Sequence, residues 1–217
     1  MAGHTLLLGH RGTRVSDTAS ENTFAAFDLT LQFGCDGFEF DVRRTACGRA
    51  VICHDETAEG IRIASATCRQ LDWMPVLKDV LARYADRAFL DIELKVAGLE
   101  SDTLVVLREN PPQRGYVVSS FLPEVLLELR ARSAEVSLGF ICDRKKSLER
   151  WPELPVEYVI PKYTLITLEL VRAVHAAGKT LLAWTVNDPK AIRRLAGWGV
   201  DGIISDDPQQ LIRTLPG

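Results

Sequence analysis

Across the 217 residues of the chain, no apolar run approaches the roughly 20 needed to span a bilayer, and no basic segment leads into one at the start. Neither a membrane span nor an export signal is expected, and the chain reads as soluble and cytoplasmic. Strong net charge is missing too: 26 Lys and Arg stand against 29 Asp and Glu, a formal charge of −3. So close a balance excludes a general attraction for nucleic acid or for an anionic membrane, so any anion recognition must come from a local cluster. Cysteine is sparse. The five present (Cys35, Cys47, Cys53, Cys68 and Cys142) are odd in number and lack C-x-x-C spacing. That pattern argues against a zinc site or a disulfide framework and predicts reduced thiols in packing or incidental roles. No Gly-rich dinucleotide fingerprint, Walker loop, internal repeat or linker-like stretch divides the chain, which predicts one domain over residues 1–217.

What the sequence does contain is an alternation. Short β-branched or apolar runs are each followed by a longer stretch of helical spacing, as in parallel strands joined by helices. Strands are expected at about 5–9, 36–42, 88–94, 115–119, 136–141, 156–160, 180–185 and 200–204. Helices are expected at about 23–33, 75–85, 100–109, 123–132, 143–150, 166–177, 188–197 and 207–214, the fifth having the weakest pattern. Eight such units close naturally into an α/β TIM (β/α)8 barrel, compact at this length, and an open doubly wound sheet is the second possibility. One extra apolar run, Ala50-Val51-Ile52-Cys53, ends in His54-Asp55 and reads as a short strand beside or over the barrel mouth. The stretch from Glu56 to Leu71 has no clear period and reads as a loop.

Side chains two apart on a strand share a face, so Glu39 and Asp41 point one way while Phe38, Phe40 and Val42 point the other. The same parity places Asp91, Glu93 and Lys95 together, with Ile92 and Leu94 opposite. Inward acids on neighbouring strands repel in a low-dielectric setting, and a divalent cation resolves the conflict. Three carboxylates without a Cys or His cluster suit a hard ion, Mg²⁺ or Ca²⁺. The competing reading is a salt-bridge network with Lys95, Arg43 or Arg11. His10-Arg11-Gly12 follows the first strand directly, placing an imidazole and a guanidinium where barrel enzymes do chemistry. With His54-Asp55 after the second apolar run, two imidazoles near a carboxylate-held metal describe acid–base phosphoryl chemistry. His4 and His175 are read as surface or structural.

His10-Arg11-Gly12, Glu21-Asn22-Thr23, Glu39-Phe40-Asp41-Val42, His54-Asp55, Glu93-Leu94-Lys95, Ser120-Phe121, Trp184-Thr185-Val186-Asn187 and the closing run Gly199 to Asp206 occur in that order. This series resembles the motifs of the glycerophosphodiester phosphodiesterase family along nearly the whole chain. The resemblance implies a TIM barrel, hydrolysis of small-molecule glycerophosphodiesters to glycerol 3-phosphate and an alcohol, and a Mg²⁺ or Ca²⁺ requirement. It puts the metal ligands on Glu39, Asp41 and Glu93, the catalytic acid and base on His10 and His54, and the phosphate-binding cations on Arg11 and Lys95. Glu21 and Asn22 would support the mouth, Asn22 as the cap of the first helix, with Asp55 beside His54. Trp184 would wall the glycerol or leaving group, or simply pack in the core, and Lys162 would touch phosphate or solvent. The attacking group is either water or the substrate's glycerol 2-hydroxyl.

The sequence departs from the family's pattern after His54-Asp55. Only Glu56 to Trp73 precede Met74-Pro75-Val76-Leu77, in place of a longer segment rich in Arg and Thr, so the insert after the second strand is shortened and alcohol specificity stays open. Two other readings stand at this point: a related phospholipase D-like phosphodiesterase acting on lysophospholipid-type diesters, and a catalytically silent phosphate-ligand binding barrel. The outer helices carry no interface signature, which leaves the oligomeric state open.

Overall fold

Alternation along the second barrel strand sets the architecture. Phe38, Phe40 and Val42 pack outward beneath the first two long helices, where Phe27 stacks on Phe38 at 4.2 Å and Tyr84 meets it edge-on at 5.0 Å. Each such aromatic pair contributes about 0.5–1.5 kcal/mol beyond its buried area. A one-residue slip would drive Glu39 and Asp41 under those helices, so the apolar set fixes the register that turns the acids inward.

The computed structural model describes residues 5–215. In chain order it contains β1 (Leu6–Gly9), α1 (Phe24–Gln32), β2 (Gly37–Arg44), β3 (Ala50–Ile52), β4 (Thr57–Ala58), β5 (Ile61–Arg62), α2 (Leu77–Tyr84), β6 (Phe89–Leu94) and α3 (Glu100–Glu109). Then follow β7 (Tyr116–Ser120), α4 (Pro123–Arg132), β8 (Leu138–Cys142), α5 (Lys145–Leu148), β9 (Tyr158–Pro161), α6 (Leu168–Ala176), β10 (Thr180–Ala183), α7 (Pro189–Gly197), β11 (Gly202–Ser205) and α8 (Pro208–Thr214). Eight strands pair in parallel in the order β1-β11-β10-β9-β8-β7-β6-β2, and β1 pairs with β2 to close the ring. This is the TIM barrel expected from the alternation. Its interior is filled by Leu8, Phe89, Val117, Ile141, Ile160, Leu182 and Ile204. Above that layer, at the C-terminal ends of the strands, the inward positions turn polar on the β2–β6 side.

The weak fifth helix is a single turn, Lys145–Leu148, followed by a 3-10 turn at Trp151–Glu153. Pro152 explains the early stop: it has no N–H to give the Leu148 carbonyl, and its ring clashes with the preceding turn. His4 lies outside the described residues. Among those described, no helix is long and apolar enough to cross a membrane.

Two expectations about the segment after β2 are corrected. The run Ala50–Ile52 is a strand, antiparallel to the end of β2 with Val42 opposite Ile52. Beyond it, however, Glu56 to Leu71 is not plain loop. β4 and β5 form a hairpin whose turn residues Glu59 and Gly60 both have positive φ (48° and 78°), the conformation whose twist suits a two-residue hairpin. Val51, Ile63, Ala66, Leu71 and Met74 form a small apolar core of their own beneath it. The expectation of five reduced thiols is overturned by a Cys47–Cys68 disulfide, which ties the β2–β3 turn to this cap across 21 positions. Cys35, Cys53 and Cys142 are free. Folding of the cap supplies the proximity that the sequence spacing hides.

Candidate active site

β1 delivers its last residues into the mouth through a tight turn. Arg11 has φ 53° and Gly12 φ 78°, and a Cβ on Gly12 would lie 2.8 Å from the Ala26 carbonyl carbon, so only glycine fits there. The turn aims Arg11 N–H at Glu39 Oε2, 2.9 Å away. His10 Nδ1 lies 2.7 Å from Asp206 Oδ1. An ionised carboxylate only accepts, so Nδ1 carries the proton and Nε2, 3.7 Å from Glu39 Oε2, is the nitrogen left free. Asp206 is held well down, to about 2: burial pushes it up, but hydrogen bonds from His10 and Asn187 outweigh that.

The β2–β6 register places Glu39 opposite Asp91 and Asp41 opposite Glu93. All four carboxylates are buried. Glu39, Asp41 and Glu93 each offer an oxygen within 4.8 Å of the others. Burial, then repulsion from Asp41, Glu93 and Asp91, pushes Glu39 well above the usual carboxylate range. Burial and Asp41 raise Glu93 to about 8, and burial raises Asp91 to about 7 although Ser119 Oγ–H donates to it. Asp41 goes the other way. Its burial is outweighed by Lys95, Arg11 and the Asn22 amide.

One of the expected resolutions of this crowding, the salt-bridge network, is present in part. Lys95 Nζ lies 2.6 Å from Glu93 Oε1 and 3.2 Å from Asp41 Oδ1, and Arg11 Nε lies 3.1 Å from Asp41 Oδ2. The salt-bridge network therefore serves Asp41 and Glu93. It leaves Glu39 Oε1, buried and without a hydrogen-bond or ion-pair partner among the described residues. A stranded carboxylate oxygen facing two further carboxylates, all hard donors, fits a divalent cation of the Mg²⁺ or Ca²⁺ kind.

β3 carries the chain back to the mouth and sets down His54, whose side chain is 36% exposed. Its Nδ1 is 2.8 Å from Asp55 Oδ1 and its carbonyl accepts from Arg43 Nε at 2.7 Å. Glu21 pairs with Arg11 Nη1 at 2.7 Å and with Arg14. Asn22 is not the helix cap. That role falls to Thr23, whose hydroxyl accepts from Ala26 N–H, while Asn22 Nδ2 donates to Asp41 Oδ2 at 2.9 Å. His10, Arg11, Glu39, His54, Glu93 and Lys95 line one cleft of about 100 Å³, walled across the barrel by Phe121, Ile141, Ile160, Trp184 and Ile204. Trp184 meets Phe121 edge-on at 5.4 Å and its indole N–H donates to the Ile160 carbonyl. Lys162 is exposed and not among the lining residues. His175 is bound to Asp201 on the outer surface.

A family model for the glycerophosphoryl diester phosphodiesterase family matches residues 10–74 and 74–210, covering the cleft and nearly the whole barrel. The chain belongs to that family. This makes it a phosphoric diester hydrolase by descent. It is 29% identical over 238 residues to a glycerophosphodiester phosphodiesterase of Caldanaerobacter subterraneus subsp. tengcongensis, covering 96% of each chain. The crystal structure of the Thermotoga maritima glycerophosphodiester phosphodiesterase superposes with a TM-score of 0.84 at 25% identity, covering 98% of this chain and 99% of that one. A phosphodiesterase of Oleispira antarctica, solved in complex with the product sn-glycerol-3-phosphate, superposes with a TM-score of 0.83 at 27% identity, covering 98% and 97%.

In this phosphodiesterase the residues without an assigned role in the sequence reading are Asp206, Asn187, Phe121 and Asp91. The signal for Asp206 was available: like His10, it directly follows a barrel strand and so must stand at the mouth. Asn187 holds Asp206 from the loop after β10, donating from Nδ2 to Oδ2 at 2.7 Å.

Proposed function

We propose that the protein hydrolyses glycerophosphodiesters to glycerol 3-phosphate and an alcohol, using a divalent cation, Mg²⁺ or Ca²⁺, held by Glu39, Asp41 and Glu93, with His10 and His54 as base and acid. The whole chain would act as one catalytic domain. The observation that carries the reading is the stranded Glu39 Oε1, set among three converging carboxylates beside the free Nε2 of His10. When bound, the cation supplies Lewis-acid neutralisation of phosphate charge.

The protein's own groups do the rest. Arg11 and Lys95 line the cleft as fixed cations, their geometry preset by Glu21, Asp41 and Glu93, so they meet the phosphate without reorganising. His10, with Nδ1–H committed to Asp206, presents Nε2 to take the proton of the attacking oxygen. His54 stands at the open rim with its Nδ1 bonded to Asp55, where it gives a proton to the departing alkoxide. One P–O bond to the alcohol breaks as one to the attacking oxygen forms, and the proton taken at His10 balances the one given at His54. Trp184 and Phe121 cover the apolar side and keep water from that half of the phosphate.

Release of the alcohol from glycerophosphocholine, glycerophosphoethanolamine and a lysophospholipid, leaving glycerol 3-phosphate from the first two and its acylated form from the third, each with Mg²⁺ or Ca²⁺ and with chelator, tests the reading. Metal-dependent cleavage of the first two supports it. Cleavage of the lysophospholipid alone points to the lipid diesterase, and binding without cleavage to a silent barrel. A cytoplasmic location, expected from the lack of an export signal and from unpaired thiols, loses the second support to the Cys47–Cys68 bond.

A further inference from the structure

Beside the catalytic cleft, on the β2–β6 rim, lies a second cavity of about 180 Å³ lined by Arg43, Arg44, Arg62, Glu56 and Val96. Three arginines and one carboxylate are among its lining residues. Neither Arg44 nor Arg62 has a side-chain hydrogen bond or ion pair among the described residues. Arg44 is nonetheless placed: it runs along Gly98, whose φ of 88° and missing side chain leave room for it, with Cδ 3.5 Å from where a Cβ would be. Two unpaired arginines, one of them positioned, beside Arg43 on one concavity in a chain of net charge −3 form a local cluster of the kind that recognises an anion.

The cavity is joined to the reaction site by sequence and by contact. Arg43 is two residues beyond Asp41 on the same face of β2, and its Nε holds the His54 carbonyl. Val96 directly follows Lys95. In the closed ring β2 and β6 stand diametrically opposite β9 and β10, which bear Ile160 and lead into Trp184. A phosphodiester at the acid cluster that extends one substituent along the apolar wall would extend the other toward the arginines. His54, the group at the open rim, stands on the arginine side.

We infer that this cavity binds the departing alcohol, and that the favoured substrates are glycerophosphodiesters whose alcohol carries its own anionic group, a carboxylate or a second phosphate. The inference rests on the phosphodiesterase reading above and adds the substrate class to it. The cap contributes Arg62, the last residue of β5, to the cavity.

Matched substrates test this. Glycerophosphoserine differs from glycerophosphoethanolamine by one carboxylate, and glycerophosphoglycerol phosphate differs from glycerophosphoglycerol by a second phosphate. In the wild-type protein kcat/KM should favour the anionic member of at least one pair by roughly tenfold, mainly through KM, as one charge-assisted hydrogen bond would give. The pair that discriminates identifies carboxylate or phosphate. The Arg44→Gln/Arg62→Gln protein should bring that ratio to within about twofold of one while cleaving glycerophosphoethanolamine at the wild-type rate. Equal kcat/KM within both pairs in the wild type, or a preference that survives the double substitution, would overturn the inference and leave the phosphodiesterase reading standing. Failure to cleave any of the four would overturn both.

Discussion

Replacing Asp206 by Asn isolates the role of one hydrogen bond. Asn187 Oδ1 accepts from Ser205 Oγ–H at 3.0 Å and from Asp206 N–H at 2.9 Å, so its amide nitrogen must face residue 206. In Asp206→Asn the introduced amide would meet Asn187 with its oxygen and turn its NH₂ toward His10 Nδ1. That forces the imidazole proton onto Nε2, the nitrogen proposed as base, while the donor geometry around it stays intact. Loss of one charge-assisted hydrogen bond alone, about 1.5–3 kcal/mol, lowers kcat roughly 10- to 100-fold. A catalytic histidine locked in the wrong tautomer loses up to about 10⁴-fold. Initial-rate release of glycerol 3-phosphate should therefore show kcat down between about 10² and 10⁴, with KM changed less than about threefold. A kcat within threefold of wild type would refute the assignment of His10 Nε2 as the base.

The same carboxylate bears on acid stability. Its native value, about 2, lies below the ordinary 3.8, so its contribution, about 2 kcal/mol at most, is present above pH 4 and disappears as pH falls through 2. Chemical denaturation of wild type and Asp206→Asn should differ at pH 7 and converge by about pH 2. Glu39 and Glu93 run the opposite way: their native values are raised, so metal-free protein should lose stability as pH climbs from about 4.5 toward 8. Glu39→Gln, which removes a buried charge and its repulsion, should raise the melting temperature of metal-free protein at pH 8 while abolishing metal-dependent turnover; a lower melting temperature would contradict it. Opening the Cys47–Cys68 bond in Cys47→Ser/Cys68→Ser should cost about 3 kcal/mol for a loop of this length, lowering the melting temperature by roughly 6–12 °C. Hydrogen exchange should locate the loosening at residues 56–71, and uniform loosening of the barrel would contradict a cap-specific role.

Strand parity carried most of what the sequence made legible. Glu39 and Asp41, and then Asp91, Glu93 and Lys95, converge because an alternating strand with Phe and Val on one face has only one way to bury them. The position of His10 follows from its place just after β1. What stayed hidden depended on tertiary contact. Cys47 and Cys68 meet only when two-residue strands, too short to show a period, fold over a five-residue core. Asn22 reads locally as a cap, yet with Thr23 next to it the better helix start lies one residue on, and the freed amide serves Asp41. The arginine cavity draws residues from β2, the cap and the β6 loop, which no local pattern connects.

Calorimetric titration of chelator-treated protein with Mg²⁺ or Ca²⁺, run at pH 7.5 in two buffers of different ionisation enthalpy, tests the metal centre most directly. One ion should bind per chain, and the difference between buffers should report release of at least one proton. Without metal Glu93, raised to about 8, holds a proton that a cation must displace. Glu39→Gln should abolish that binding. Binding that releases no proton and survives Glu39→Gln, or no binding at all, would contradict a metal centre at Glu39, Asp41 and Glu93.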